Sequence, residues 1–122
     1  RSAARKKPPT LDRETSLRAV PVFNPGVDLI DREDGGVRLR VRIPRQSTGW
    51  MARFLPPVFE RNIQLDELGS FVVRQIDGQR TTRDIIDAFT EQYRLNRREA
   101  ELSCTRFLRS LAERRAVSIA VL

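Results

Sequence analysis

Apolar and arginine residues alternate from Val37 to Ile43, which is the period of a strand with one buried face. A shorter apolar stretch, Val27–Arg32, precedes it across the acidic, glycine-rich turn Glu33–Gly36. Two such stretches around a tight turn predict a β-hairpin. The alternation places four side chains toward the core: Val37, Leu39, Val41 and Ile43. It places three toward solvent: Arg38, Arg40 and Arg42.

The three outward arginines allow two interpretations. Regularly spaced guanidinium groups could bind phosphate or an acidic peptide. Alternatively, they form a solvated face whose charges are balanced by Asp28 and Asp31 across the hairpin.

The stretch from Val58 to Gly78 predicts a third strand followed by a short helix. Val58–Leu65 reads as the strand, and Asp66 offers a carboxylate to the free N–H groups of a first helical turn. Asp77–Gly78 predicts the end of the helix, because glycine accepts left-handed backbone geometry. At helical spacing, the apolar face of this helix comprises Leu68, Phe71, Val72 and Ile76.

Two further helices are predicted downstream. Thr81 or Thr82 caps the second, with Asp84 in its first turn, and Asn96 with Glu99 has the spacing of a capping box for the third. The buried stripe of the second comprises Ile85, Ile86, Phe89 and Tyr93. The inner face of the third comprises Ala100, Cys104, Phe107, Leu108 and Leu111. Val117–Leu122 ends the sequence as a last strand or an extended tail.

This order of elements predicts an α+β, winged-helix-like fold, with a three-stranded antiparallel sheet followed by three helices. We expect residues 1–18 to form a basic extended arm, because prolines and the lack of an apolar period disfavour a helix there. Residues 19–122 form the domain, with an inserted aromatic loop at 44–57. Trp50 and Phe54, four residues apart in this loop, either dock a partner or a membrane surface, or cover the core.

The net charge of +7 is concentrated at one end. Residues 1–10 contain four basic residues and no acid, so the rest of the chain is nearly balanced. A nearly balanced domain argues against a general affinity for nucleic acid. The candidate partner-docking residues are therefore Arg5, Lys6 and Lys7 of the arm, with Trp50 and Phe54 of the loop.

The amino-acid composition argues against an enzyme. The chain has no histidine, one cysteine and no glycine-rich phosphate loop, so the usual general base and the usual metal ligands are missing. We expect no catalytic residue, no metal and no cofactor. Cys104 reads as a small core residue, and a single cysteine is typical of a reducing compartment. We therefore expect a cytoplasmic protein, and no apolar run is long enough to span a membrane.

Two kinds of binding remain. The third helix could enter DNA with six arginines, but three glutamates on the same helix weaken this interpretation. The arginines are Arg97, Arg98, Arg106, Arg109, Arg114 and Arg115. Alternatively, an extended peptide pairs with an open edge of the sheet, beside the third helix, so that main-chain bonds give affinity and pockets give specificity. A three-stranded sheet has two edges, and the tail can readily cover only one of them.

Four segments of the sequence, in this order and at this spacing, resemble the PqqD family, which is related to the pyrroloquinoline quinone biosynthesis protein D. They are Leu65–Ser70, Ile76–Thr81, Asp84–Ile86 and Phe107–Leu111. Ala19–Pro25 and the Trp50 loop are similar to one PqqD-like subgroup. The resemblance covers roughly residues 19–117, while the arm, the Trp50 loop and the ending at Val117–Leu122 depart from the minimal domain.

The resemblance implies a recognition element for ribosomally made, modified peptides. Members bind the leader of a precursor peptide as an added strand and present it to a modifying enzyme, often a radical S-adenosylmethionine enzyme. Carried over by element, the strand residues are Arg61, Asn62, Ile63, Gln64 and Leu65. The helix residues are Leu102, Thr105, Arg106 and Arg109. These departures from the minimal domain leave open a second role. The protein would then be a scaffold subunit of a larger assembly, and its arm would wrap a neighbouring subunit.

Overall fold

Two antiparallel sheets and four helices make up residues 13–44 and 58–120, the parts of the chain that the computed structural model describes. In chain order they are α1 Arg13–Arg18, β1 Val20–Phe23, β2 Val27–Asp31, β3 Val37–Pro44, β4 Val58–Gln64, α2 Glu67–Arg74, α3 Thr82–Tyr93, α4 Arg97–Glu113 and β5 Val117–Ala120. The predicted α+β class, with a three-stranded antiparallel sheet followed by three helices, is confirmed.

The larger sheet has the strand order β2-β3-β4, so β3 lies in the middle. Leu39 lies opposite Leu29 on β2 and opposite Ile63 on β4. The predicted alternation of β3 is confirmed, since Val37, Leu39 and Val41 are fully buried and Ile43 packs against the core.

The arginines of β3 lie on the other face of this sheet. Arg40 and Arg42 both contact the Asp28 carboxylate, at 2.9 and 2.8 Å. The predicted balancing of charge across the hairpin is therefore confirmed for Asp28. Asp31 instead contacts Arg74 of α2 at 2.9 Å, because its side chain shares the core-facing side of the sheet with its partner Val37.

A second, two-stranded sheet joins the two ends of the described chain. β1 pairs with β5, with Val20 opposite Ala120 and Phe23 opposite Val117. Of the two predicted alternatives for the end of the sequence, a strand or an extended tail, Val117–Ala120 is therefore a strand.

Residues 13–18, which we expected to belong to an extended arm, form the helix α1 instead. Leu17 is only 1% exposed and packs in the core, and the Ala19 carbonyl accepts hydrogen bonds from the N–H and the hydroxyl of Thr82. Burial of one leucine and a tie to α3 offset the weak local tendency to form a helix. The remainder of the arm, including Arg5, Lys6 and Lys7, lies outside the described residues, as do Trp50 and Phe54.

The α2 helix starts as predicted and ends earlier. The Asp66 carboxylate accepts the N–H of Gly69 at 2.8 Å, which confirms the N-cap. The predicted end at Asp77–Gly78 is wrong, since the helix stops at Arg74 and Gln75 is its C-cap. Asp77 instead closes a separate turn by accepting the N–H groups of Gln79 and Arg80.

One residue of the predicted apolar face of α2 is also corrected. Leu68 is 43% exposed, whereas Val72 and Ile76 are buried and Phe71 is half-buried. Leu68 sits in the first turn of the helix, two residues after its cap Asp66, where the helix emerges from the core.

Side chains cap the next two helices, although the hydrogen bonds of the described residues include only the Asn96 half of the capping box predicted for Asn96 and Glu99. Thr81 and Asp84 form a reciprocal capping box on α3, and the Asn96 side chain accepts the N–H groups of Arg98 and Glu99 on α4. The predicted inner face of α4 is buried at four of its five positions, namely Ala100, Cys104, Leu108 and Leu111. The fifth, Phe107, is half-buried.

Candidate functional site

The backbone of β4 has one side turned to β3 and one side with which no other described strand pairs. The Leu65 N–H donates to the Val37 carbonyl at 3.1 Å, and the two residues continue the register that pairs Arg38 with Gln64. In an antiparallel ladder, hydrogen-bonded pairs alternate with non-bonded pairs. The N–H and C=O groups of the odd-numbered residues therefore point to β3. Those of three even-numbered residues point away from it: Glu60, Asn62 and Gln64.

Within the described parts of the chain, β3 is the only strand paired with β4. The side chains of Ile63 and Leu65 face the core, at 4% and 6% exposure. Those of Arg61, Asn62 and Gln64 are exposed. The strand thus offers outward main-chain donors and acceptors while it stays anchored by its apolar residues.

A groove of about 330 Å³ lies beside this edge. One wall comes from the end of β4 and the residues that follow it, namely Ile63, Gln64, Leu65 and Asp66. The other wall comes from α4, with Phe107, Ser110, Leu111 and Arg114. An extended chain added to β4 would therefore place every second side chain against α4.

A smaller recess of about 170 Å³ continues along α4 on the other side of the Phe107 ring. Leu68, Gly69 and Val72 of α2 form one wall, Ser103 and Cys104 of α4 form another, and Phe89 of α3 also contributes. A Cβ atom at Gly69 would lie 3.1 Å from the Phe107 ring. The close approach of α2 to this ring therefore favours glycine, because a side chain at this position would have to displace the ring by a few tenths of an ångström.

The structure does not bring the predicted helix residues to β4. Leu102 and Thr105 line a depression with Arg13 of α1, and Thr105 and Arg109 line another with Ile119 of β5. Because each helical residue turns by about 100°, these positions lie well around α4 from Phe107. Arg106 is exposed, three residues after Ser103 and four before Ser110, on the solvent side of the groove.

The end of the predicted strand lines the groove, whereas the residues that line it from the α4 side were not among the predicted site residues. Ser103, Ser110 and Arg114 share a face with Phe107 through spacings of three and four residues. This face adjoins the buried stripe of Cys104, Leu108 and Leu111. Two serines on a helix carry no apolar signal, so the period alone did not reveal them.

Charge and reactivity are unevenly distributed around the groove. The Asp66 carboxylate is engaged by the Gly69 N–H, whereas the guanidinium of exposed Arg114 has no acidic partner within 4 Å among residues 13–44 and 58–120. Burial raises the pKa of the Cys104 thiol to about 12. The thiol is therefore protonated at neutral pH and is a poor nucleophile.

The described residues contain neither a cluster of metal ligands nor a membrane-spanning helix. No group of three or more histidine, cysteine, aspartate or glutamate side chains in this part of the chain is placed to hold a metal ion. None of the helices seen there is both long and apolar enough to cross a membrane.

A strand edge that no other described strand pairs with, and a groove beside it, are the main features of this part of the molecule. The family model described as Coenzyme PQQ synthesis protein D (PqqD) matches residues 56–117, just over half of the chain. The chain therefore belongs to the PqqD family. Members of this family are non-catalytic accessory domains that bind peptides in the biosynthesis of ribosomally made, modified peptides. Neither a curated protein nor a solved structure matches the chain.

The matched segment contains both walls of the groove. It begins just before β4 and runs through α2, α3 and α4 to the first residue of β5. We expected the resemblance to begin near residue 19, whereas the match leaves out the β2–β3 hairpin. The winged-helix likeness stays a prediction, since no solved structure matches.

Proposed function

We propose that this chain binds an extended peptide as an added strand on the open edge of β4. The observation that carries the proposal is the outward direction of the Glu60, Asn62 and Gln64 backbone, beside a groove whose other wall is α4. The added strand would become the fourth of the sheet, in the order β2-β3-β4-peptide.

The energetics suit a peptide that must be bound and later released. Each main-chain hydrogen bond contributes a net of about 1 kcal/mol, and ordering the peptide costs part of that gain. The edge bonds supply affinity for almost any sequence, while side chains that enter the groove supply selectivity. We therefore expect modest affinity and a clear sequence preference.

In this proposal the ligand is a ribosomally made precursor peptide, and the bound form is presented to a modifying enzyme. A radical S-adenosylmethionine enzyme is the partner that the family suggests. A strand docked at one edge leaves the rest of the peptide free to reach such an enzyme. The encounter takes place in the cytoplasm, where new peptides are released and where the free Cys104 thiol would stay reduced.

Amide hydrogen exchange tests where the peptide binds. The probes are random peptides of about 12 residues, displayed and selected on the full chain, which at about 3.3 Å per residue exceed the length of β4. A selected peptide should slow exchange at the N–H groups of Glu60, Asn62 and Gln64. The matched control is the other edge of the same sheet, where exchange at Leu29 and Asp31 should not change.

Three outcomes would contradict the proposal. Protection could appear at Leu29 and Asp31 instead. It could appear only around Leu102 and Thr105, on the far side of α4. Finally, no peptide could be enriched above selection on the bare support.

A further inference from the structure

The two ends of the β4–α4 groove differ in chemistry. At one end, the recess beyond Phe107 is lined mainly by apolar atoms of Val72, Phe89 and Phe107, with exposed Leu68 at its rim. At the other end, Arg114 closes the groove beside Ile63. Arg61 lies two residues before Ile63, so it extends the same face of β4 toward the Arg114 end.

The direction of the groove follows from its lining residues. Asp66 and Phe107 line both the groove and the recess, so they lie together at the end where the two meet. Ile63 and Arg114 line the groove alone and are the residues farthest along the chain from Asp66 and Phe107, so we place them at the other end. The recess lies beyond Asp66 and Phe107. The apolar end is therefore beyond the C-terminal end of β4, and the basic end lies toward its N-terminus.

The distance between the apolar and basic ends of the groove matches the spacing of side chains on one face of an extended peptide. Cys104 on α4 and its C-cap Arg114 are ten residues apart, which is about 15 Å at 1.5 Å per residue. Side chains on one face of a strand recur about every 6.7 Å, so positions i and i+4 are about 13 Å apart. The intervening residue i+2 lies over Phe107 and Ser110.

Resting on the proposed function, we infer that the groove selects a peptide with a bulky apolar residue at position i and an aspartate or glutamate at i+4. The apolar side chain fills the recess beyond Phe107, and the carboxylate pairs with Arg114. Antiparallel pairing is somewhat more stable per residue than parallel pairing, and an antiparallel peptide runs from the apolar end to the basic end. The apolar residue therefore comes first.

Charge at the middle of the groove supports this order. The Asp66 carboxylate lies where the groove and the recess meet, and it disfavours a second acid at that point. An acidic side chain is thus excluded from the apolar end and attracted to Arg114. A basic residue at i+4 would meet Arg114 and Arg61 instead.

The peptide selection provides the test, with sequencing of the enriched pool. On the wild-type chain, pairing with Arg114 should enrich an acid at i+4 by about tenfold over other residues. Arg114→Glu should abolish this preference and favour lysine or arginine there. Ser103→Phe, which fills the recess from its exposed rim, should remove the preference for a bulky apolar residue at i. Arg109→Glu is the charge control on the far side of α4 and should leave the motif unchanged.

The results separate this inference from the proposed function. Peptides that protect β4 but show no such motif would overturn the inference and leave strand addition standing. The inference also fails if the acid preference survives Arg114→Glu, if Arg109→Glu abolishes it, or if the motif appears in the reverse order. If no peptide is enriched on the folded wild-type chain, both fail. A thermal melt of each variant establishes that it is folded.

Discussion

The two edges of the three-stranded sheet have the same kind of backbone and different surroundings. The Arg42 N–H donates to the Gly26 carbonyl at 3.1 Å, in the register that pairs Val27 with Val41. By the same alternation as on β4, the backbones of Leu29 and Asp31 on β2 point away from β3. Within the described chain, both edges therefore carry unpaired main-chain groups.

What lies beside each edge differs. Next to β2, Asp31 is held by Arg74 at 2.9 Å, and Leu29 is 38% exposed. Next to β4 is the groove that ends at Arg114. Charges at an edge discourage further strands, whereas a groove gives an incoming side chain a place to bind. On the proposed function, the comparison teaches that an unpaired edge alone does not make a recognition site, and that the groove beside α4 supplies the difference.

The largest expected effect is on stability. It compares a β4 residue whose N–H points to β3 with one whose N–H points away from it. Ile63→Pro removes an N–H that points to β3 and replaces a side chain that is 4% exposed. The lost packing and the carbonyl left unpaired should lower the free energy of unfolding by about 3 kcal/mol or more. Asn62→Pro removes an N–H that points outward, so it should cost much less. Urea unfolding measures both variants, and equal losses would show that the assigned direction of the β4 backbone is wrong.

The next prediction compares the two edges through binding. Asn62→Pro removes a donor that the added strand would use, and its affinity for a selected peptide should fall about tenfold. Leu29→Pro removes the equivalent outward N–H on β2 and should leave affinity nearly unchanged. Calorimetric titration measures both.

A second control separates backbone from side chain. The Asn62 amide oxygen accepts a hydrogen bond from Arg38 at 3.1 Å, and Asn62→Ala removes this bond while it keeps the N–H. If Asn62→Ala weakens binding as much as Asn62→Pro, or if Leu29→Pro weakens it equally, main-chain pairing at β4 is not the source of affinity.

Local patterns predicted most of the fold. The alternation in Val37–Ile43, the cap at Asp66 and the stripe from Ala100 to Leu111 each depend on neighbours in sequence, so the sequence alone reveals them. The pairing of β1 with β5 does not, since it joins residues about a hundred positions apart, such as Val20 and Ala120. The helix at Arg13–Arg18 was missed for the same reason, because the burial of Leu17 by distant elements stabilises it.

For the candidate groove, the sequence predicted the strand side but not the helix side. The open strand followed from the number of strands, because a sheet of three has two edges. The helix side required the rotation of α4 about its axis, and both faces of this helix carry arginines, such as Arg109 and Arg114. The lining of the groove shows that the face with Phe107, Ser110 and Arg114 is the one beside β4.

The smallest expected effect is on the pH dependence of Tm. It concerns the ion pairs of Asp28 on β2 with Arg40 and Arg42 on β3, which do not involve β4. Hydrogen bonds from Arg40 and Arg42 lower the pKa of Asp28 below its usual value of 3.8. A carboxyl group with a lowered pKa in the folded state stabilises the protein above its unfolded pKa, and this contribution is lost as the pH falls through the folded value. Between pH 7 and pH 2, Asp28→Asn should therefore show a smaller decrease in Tm than the wild-type chain.

The matched control for this variant is Glu33→Gln, which removes the same charge from the exposed turn of the same hairpin and should keep the wild-type response to pH. At neutral pH, Asp28→Asn should bind the selected peptide as tightly as the wild-type chain, because Asp28 lies on β2 and the peptide pairs with β4. An unchanged pH response in Asp28→Asn would show that its pairs with Arg40 and Arg42 add nothing to stability. A loss of peptide affinity would show that the two edges are coupled through β3, and the contrast between them would then not hold.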